Sequence, residues 1–357
     1  MFANLVLYAA LALVAVVVLI PLARRAALKV GLTDKPGGRK DHAGDVPLIG
    51  GLVIFPVFIV FSMLSGDTLA THWPLYSALA LLLVMGAVDD RVHLHSFTKF
   101  GLQFVAAALV VLPGGAELQQ LGNLFGLGDF GLGFMSLPFS IVAMVLLINA
   151  INLMDGLDGL AGGTSVIILV WFLIACLMVG EAVFSPSIAI LMACLFGFLI
   201  YNMRNPMRRK ASVFLGDAGS LCLGLMIGWY AIHLSLEPAR VVEPISVAWI
   251  LALPIWDECA QFNRRVREGR HPFSPDRGHF HHHLIQAGFT PSRAVTIILG
   301  IMMLTGSVGI VGINSGAPLA CFTVVWIIGI LAHIHLSRDL DRYPKLITQL
   351  PLKRSTE

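Results

Sequence analysis

The sequence predicts an all-α, polytopic integral membrane protein of about eleven transmembrane helices, with its N-terminus outside and its C-terminus in the cytoplasm. Three observations carry that prediction. Hydrophobic residues make up 57% of the chain and charged residues 13%, against roughly 25% charged residues in a soluble domain. Apolar stretches recur near residues 5–23, 48–64, 75–88, 99–113, 138–154, 164–180, 187–203, 218–236, 245–262, 295–313 and 317–336, most of them close to the roughly 20 residues that a bilayer crossing needs. Lysine and arginine fall in alternate connections. With residue 1 outside, 23 of the 24 lie in inner segments and only Arg240 lies outside. A bias of this kind sets orientation.

Residues 1–340 read as one transmembrane domain and 341–357 as a cytoplasmic tail. The first stretch, Leu5–Ala23, is apolar before Arg24 and Arg25, whereas a cleavable signal carries its positive charge first. It is expected to stay as the first helix. The glycine-rich segment "PGGAELQQLGNLFGLGDFGLGF" reads as an outer surface hairpin. Five cysteines stand singly in or beside apolar runs, without metal or disulfide-framework spacing.

The third stretch ends in "GAVDDRVHL", which sets Asp89 and Asp90 side by side at an inner helix end. Adjacent carboxylates repel, and burial raises their pKa unless a cation is near. Lys99, nine residues after Asp90, opens the next stretch. It is a candidate phosphate binder, and an interfacial snorkelling lysine is the alternative.

The fifth stretch runs into "NAINLMDGLDGLAGG". On a continuous helix, residues three apart lie about 60° apart around the axis. Asn149, Asn152, Asp155 and Asp158 would then form one slanting polar stripe, with Gly156 and Gly159 thinning or breaking the helix. Acids at the bilayer centre cost about 2.5–3.5 kcal/mol each and less near the interface, so this stripe calls for a compensating ligand. "VFLGDAGSLCLG" puts Asp217 between two glycines just before the eighth stretch. Ala218–Ser220 would supply the N–H groups of a helix N-terminus, which favour anions; an N-capping aspartate is the alternative.

"HPFSPDRGHFHHHL" carries His271, Asp276, Arg277, His279, His281, His282 and His283. It lacks the paired-histidine spacing of a zinc protease and has no cysteines to support a zinc site. Histidines beside Arg277 suit phosphate or pyrophosphate contact better. Orientation and attraction to anionic lipid explain the basic clusters "RNPMRRK" and "RRVREGR". His333 and His335 read as interfacial.

Taken in order, the Asp89–Asp90 pair, "NAINLMDGLDG", "FLGDAGS" and "SPDRGHFHHHL" resemble the polyprenyl-phosphate N-acetylhexosamine-1-phosphate transferases. "PFSPDR" and the histidines that follow are most similar to the bacterial branch that initiates O-antigen and enterobacterial common antigen. The run His281–His282–His283 extends one histidine beyond the H-x-H-H pattern expected of that branch. The resemblance implies transfer of N-acetylglucosamine 1-phosphate, or a related N-acetylhexosamine 1-phosphate, from a UDP-sugar to undecaprenyl phosphate, with release of UMP. It implies Mg²⁺, with Mn²⁺ as an alternative, and a site on the cytoplasmic face of the bacterial inner membrane. Membrane lipid is a partner, nucleic acid is not, and a homodimer is compatible with the reading.

Residue by residue, the resemblance makes Asp217 the position that holds the metal and puts Asp158 beside the metal or the nucleotide. Gly156, Leu157, Asn202 (with Asn205 as fallback) and Phe214 match uridine contacts, with Phe214 stacking on the base. Asp89, Asp90 and Lys99 match the lipid-phosphate site. His279 and Arg277 match a loop closing over the sugar-nucleotide, with His281 and His282 beside them. Asn152 and Asp155 count with the substrate-facing residues. A phosphate monoester has its second pKa near 6, so the nucleophile is already largely ionised. Asp90 is therefore an orienter or optional base, and direct displacement is expected. A cation-coupled transporter and an inactive assembly platform are the alternatives. Transporters place their acids near the midplane in repeated broken helices, and no such repeat is visible here.

Overall fold

A computed structural model describes residues 2–34, 45–205, 208–238, 240–270, 278–339 and 342–349. The chain divides into two compact units, one of residues 1–119 and 132–241, the other of residues 120–131 and 242–357.

The first unit is a bundle of α1 (Phe2–Val30), α2 (Gly50–Leu64), α3 (Leu69–Val92), α4 (Ser96–Val111), α5 (Ser136–Leu153), α6 (Leu160–Val179), α7 (Ser185–Asn202) and α8 (Asp217–His233). Its centre is α8, where every residue from Ala218 to Ile232 is buried. A helix that is apolar all round must be enclosed on all sides, and α2, α3, α5 and α6 pack on it. Glycines permit that closeness, as small residues do at membrane helix interfaces. A Cβ on Gly86 of α3 would stand 2.2 Å from the Ala218 backbone nitrogen, and one on Gly224 of α8 would stand 2.5 Å from the Cα of Ile148. The α3–α8 contact brings the end of α3 to the start of α8.

At the other end of α3, Asp67 accepts from His72 Nδ1 at 2.5 Å, Tyr76 OH at 2.7 Å and the Thr68 N–H at 2.8 Å. Desolvation opposes ionisation of Asp67, but these bonds outweigh it and hold the carboxyl below its ordinary value. The anchored turn covers a kink at His72 (φ −116°, ψ 26°).

The second unit contains α9 (Pro244–Ile250), α10 (Ala252–Arg267), α11 (Phe280–Gln286), α12 (Pro291–Ser307), α13 (Leu319–Leu336) and α14 (Arg342–Gln349). Residues 120–131 form the expected hairpin, closed by Leu121 N–H to Phe130 O at 2.9 Å, and Leu124 packs on a core of Ile245, Trp249 and Ile313. The stretch 245–262, expected as one crossing, is two helices that meet at Leu251 (φ −96°, ψ 11°). Pro254 explains the break, because it has no N–H to donate to the carbonyl four residues back and its ring crowds that carbonyl.

Among the described residues, seven helices are long and apolar enough to cross a membrane: α1, α3, α5, α6, α7, α12 and α13. The helices α2 and α4 are apolar but shorter. Val14 and Val18 on α1 and Ile328 and Leu331 on α13 are exposed, as lipid-facing side chains would be. The chain is thus an all-helical polytopic membrane protein.

Replacing Gly86 by valine should destabilise the bundle by about 1–3 kcal/mol or more, the usual cost of overpacking. Gly101→Ala, with nothing within 4 Å of the added methyl, should leave the melting temperature in detergent unchanged or higher. Equal melting temperatures for the two variants would contradict the close α3–α8 contact.

Candidate active site

In the first unit three helices converge on Asp217, at the start of a fourth. Asp89 lies in the last turn of α3, which ends at His93 in the left-handed region (φ 53°). Its Oδ1 accepts from the Leu94 N–H at 2.7 Å. Lys99 Nζ, from the first turn of α4, lies 2.5 Å from Asp89 Oδ2 and 2.7 Å from Asp217 Oδ2. Asn152 Nδ2, near the end of α5, donates to Asp217 Oδ1 at 3.1 Å and to Ser220 Oγ at 2.8 Å.

Asp90 does something different. Its Oδ1 accepts the Asp217 N–H at 3.0 Å, and the neighbouring Ala218 N–H favours its charged form. The N-cap residue of α8 is Gly216, at φ 76°, with no side chain to cap the helix. A Cβ there would stand 2.5 Å from Asp90 Oδ2. A carboxylate from α3 therefore caps α8, where the helix dipole favours a negative charge. This differs from the expectation that the Ala218–Ser220 N–H groups await a ligand anion. The Gly219 and Ser220 N–H groups turn back to Gly216 O. Asp217 is the first helical residue rather than the cap.

The polar stripe of 149–158 stays helical only as far as Leu153. Asn149 bonds Gln103 Oε1 on α4 at 2.7 Å and Val145 O at 2.8 Å, so its amide is committed within the bundle. Asp155 to Asp158 occupy the turn before α6, which Gly159 enters at φ 82°. Asp155 and Gly156 are exposed and Leu157 is half-buried. Asp155 keeps solvent access. Even so, desolvation by the surrounding protein and then the charges of Asp217, Asp90 and Asp158 push its carboxyl up to about 8. Asp158 Oδ2 accepts from Arg204 Nε at 2.7 Å and from the Ala211 N–H at 3.0 Å.

Asn202, 4% exposed, bridges two loops. Its Oδ1 takes the Gly159 N–H at 2.8 Å and its Nδ2 donates to Val213 O at 2.9 Å. Its neighbour in the resemblance, Asn205, is exposed. Phe214 is held by its backbone, with N–H to Pro47 O at 2.8 Å and its carbonyl accepting from Ile49 and Gly50; its ring is half-buried.

The second unit gathers its own polar cluster around Asp257, 2% exposed on α10. Asp257 Oδ2 lies 2.9 Å from His279 Nδ1, and Oδ1 accepts the Phe280 N–H at 2.9 Å. Gln261 Nε2 donates to Gly278 O at 2.6 Å, while Arg264 holds Gln261 Oε1 at 2.6 Å. His281 is 2% exposed, with its ring parallel to that of His279 at 5.7 Å. Desolvation, then the neighbouring His282 and His279, push it down to about 3. It is therefore neutral at pH 7. His282 is half-buried. His271, Asp276 and Arg277 lie outside the described residues. Among the described residues no three His, Cys, Asp or Glu side chains form a metal-ligand set.

Sequence reasoning did not single out Gln103, Gln261 or Tyr343, and it read Arg204 as a lipid-facing charge and His333 as interfacial. Polar side chains of the wrong period on otherwise apolar helices were the available signal for Gln103 and Gln261.

Comparison with known proteins decides the family. The family description "Glycosyl transferase family 4" matches residues 72–235, which hold Asp89, Asp90, Lys99, Asn152, Asp155, Asp158 and Asp217. The undecaprenyl-phosphate alpha-N-acetylglucosaminyl 1-phosphate transferase of Yersinia pestis is 34% identical over 291 residues, 81% of this chain and 79% of that protein. The chain belongs to glycosyl transferase family 4. Proteins of the same name from Escherichia coli K12 and Haemophilus influenzae are 33% and 31% identical, over 87% of this chain and 83% and 88% of theirs. The carboxylate cluster of this glycosyl transferase family 4 member thus falls wholly inside the matched segment.

Because both ends of the Asn202 amide are used internally, Asn202→Leu should cost about 2–4 kcal/mol by leaving the Gly159 N–H and the Val213 carbonyl unsatisfied. Thermal unfolding in detergent measures this. A stability equal to the parent's would show that the two loops do not depend on the bridge.

Proposed function

We propose that this protein transfers N-acetylglucosamine 1-phosphate from UDP-N-acetylglucosamine to undecaprenyl phosphate, releasing UMP and forming the lipid-pyrophosphate-linked sugar that starts a surface polysaccharide. The observation that carries the reading is the Lys99 ammonium held between Asp89 and Asp217 at the ends of apolar helices. Relatives named for this transfer share about a third of their residues over most of the chain.

In this reaction an oxygen of the lipid phosphate attacks the sugar-bearing phosphorus of the nucleotide sugar. The bond from that phosphorus to the bridging oxygen breaks, and UMP leaves. Catalysis of phosphoryl transfer is mainly positioning and charge neutralisation. The nucleophile needs no strong base, since a phosphate monoester is largely dianionic above its second pKa of about 6. That agrees with an Asp90 committed to holding the start of α8. Asp90 then acts by orienting Asp217, and Lys99 offers its charge to the lipid phosphate.

Mg²⁺ belongs to the proposal as well. This ion is commonly held by one or two carboxylates, with substrate phosphates and water completing its shell, and the Asp217–Asp89 pair fits that habit better than a three-ligand cage. Bound there, it would offset the charge on the phosphates. Asp155, pushed up by desolvation first and by Asp217, Asp90 and Asp158 second, senses the negative field of those acids, which a cation would relieve. Arg204 and the Ala211 N–H, on the loop that follows α7, hold Asp158 of the turn before α6, where it shapes the nucleotide side of the site.

The N-terminus is then outside and the carboxylate cluster on the cytoplasmic face of the inner membrane, with the apolar stretches as crossings and 245–262 as one that breaks at Leu251. The support is the confinement of 23 of the 24 lysines and arginines to one set of connections.

Purified protein in detergent, given undecaprenyl phosphate, UDP-N-acetylglucosamine and Mg²⁺, should release UMP. Release should require the lipid, stop with EDTA, and fall at least about 100-fold in Asp217→Asn, the scale of losing one electrostatic stabiliser. Folded protein that releases no UMP from any UDP-N-acetylhexosamine would overturn the reading. Release from a different UDP-hexosamine alone would overturn only the choice of sugar.

A further inference from the structure

The C-terminal helix reaches the histidine cluster through one hydroxyl. Tyr343 OH on α14 lies 2.7 Å from His333 Nδ1 on α13. His333 is 5% exposed, and its other ring nitrogen, Nε2, has no hydrogen-bond partner and lies 3.7 Å from Asp257 Oδ1. Across the same carboxylate, Asp257 Oδ2 is bonded to His279 Nδ1 at 2.9 Å. Four side chains from α14, α13, α10 and the start of α11 thus form one line: hydroxyl, imidazole, carboxylate, imidazole.

The chemistry gives that line a direction. A carboxylate facing both rings favours a proton on the nitrogen nearest to it in each, which is Nε2 of His333 and Nδ1 of His279. His333 carries that proton on Nε2 when its Nδ1 accepts from the tyrosine hydroxyl. Without the hydroxyl, the Nδ1–H tautomer becomes available, and a bare nitrogen lone pair would then face Asp257. The partner of a ring nitrogen fixes which nitrogen is protonated, and a buried carboxylate that holds a histidine also sets its orientation. With Nδ1 tied to Asp257, His279 is left with Nε2 as the nitrogen for substrate.

We propose that Tyr343 is a positioning residue for His279, acting through His333 and Asp257, so that the C-terminal helix sets the orientation of the second unit's histidine cluster. This deepens the function proposed above and rests on it, with His279 at the sugar-nucleotide as the resemblance implies.

The test is Tyr343→Phe, which removes the hydroxyl and keeps the ring against Phe280 at 5.1 Å and His283 at 5.3 Å. In the UMP-release assay, kcat should fall about three- to tenfold, the worth of one modest hydrogen bond, with KM for both substrates and the melting temperature unchanged. In a His333→Leu background the same substitution should cause no further loss of kcat. Full kcat in Tyr343→Phe, or losses that multiply in the double variant, would overturn the proposal. A second measurement needs no turnover: ¹⁵N spectra of protein labelled at the histidine ring nitrogens, with His333→Leu assigning the signal. The parent should show His333 protonated on Nε2, and Tyr343→Phe should shift it toward a mixture of tautomers. An unchanged His333 signal overturns the relay. Lack of turnover with every UDP-hexosamine would instead sink the enzymatic reading, and the spectra would still decide the relay.

Discussion

One shared ammonium organises the first unit. Lys99 contacts Asp89 and Asp217 together, and those two acids sit at the ends of largely apolar helices. Two carboxylates brought to the ends of packed helices repel one another, and breaking a buried ion pair by removing one partner typically costs about 3–5 kcal/mol. The three side chains here keep some access to water, Lys99 at 24%, Asp89 at 10% and Asp217 at 28%, so the penalty is smaller than in a sealed core. The same openness leaves the acids and the lysine accessible to a phosphate and a cation.

The surrounding structure holds that cluster in place. Gly86 and Gly224 bring α3 and α5 against the backbone of α8, Asp90 caps α8 from the neighbouring helix, and Asn152 fixes the free oxygen of Asp217. Adjacent acids thus divide the work: Asp89 pairs with the lysine, and Asp90 holds the helix that carries Asp217. In the second unit a carboxylate again sits at the centre, with Asp257 joining α10, α11 and α13.

Much of this was legible in the sequence. Each of the eleven apolar stretches falls largely on helix, and the order of acidic motifs picks out Asp89, Asp90, Lys99, Asn152, Asp155 and Asp217. What the sequence hid was direction. Asp89 and Asp90 look alike in a string, and only the angle of about 100° between successive helical residues sends one to Lys99 and the other to the start of α8. Asn202 matched a ligand-contact position, yet both ends of its amide are used by Gly159 and Val213. His333 sits among apolar residues at a helix end, so it read as interfacial, and Tyr343 lies in a segment that read as a tail. Their roles depend on tertiary partners far along the chain, which no local pattern records. The break at Leu251 was visible in Pro254 but lay masked by the apolar run around it.

In this site Lys99 is the charge partner of Asp217. A double-mutant cycle in thermal unfolding tests it most directly, with the parent, Lys99→Met, Asp217→Asn and the double variant compared in the same detergent without divalent cations. The account predicts that each single variant is less stable than the parent and that the double variant loses less than the sum of the two, by a coupling of about 1–3 kcal/mol. Losses that simply add would contradict it, because they would mean that the lysine and the aspartate act independently.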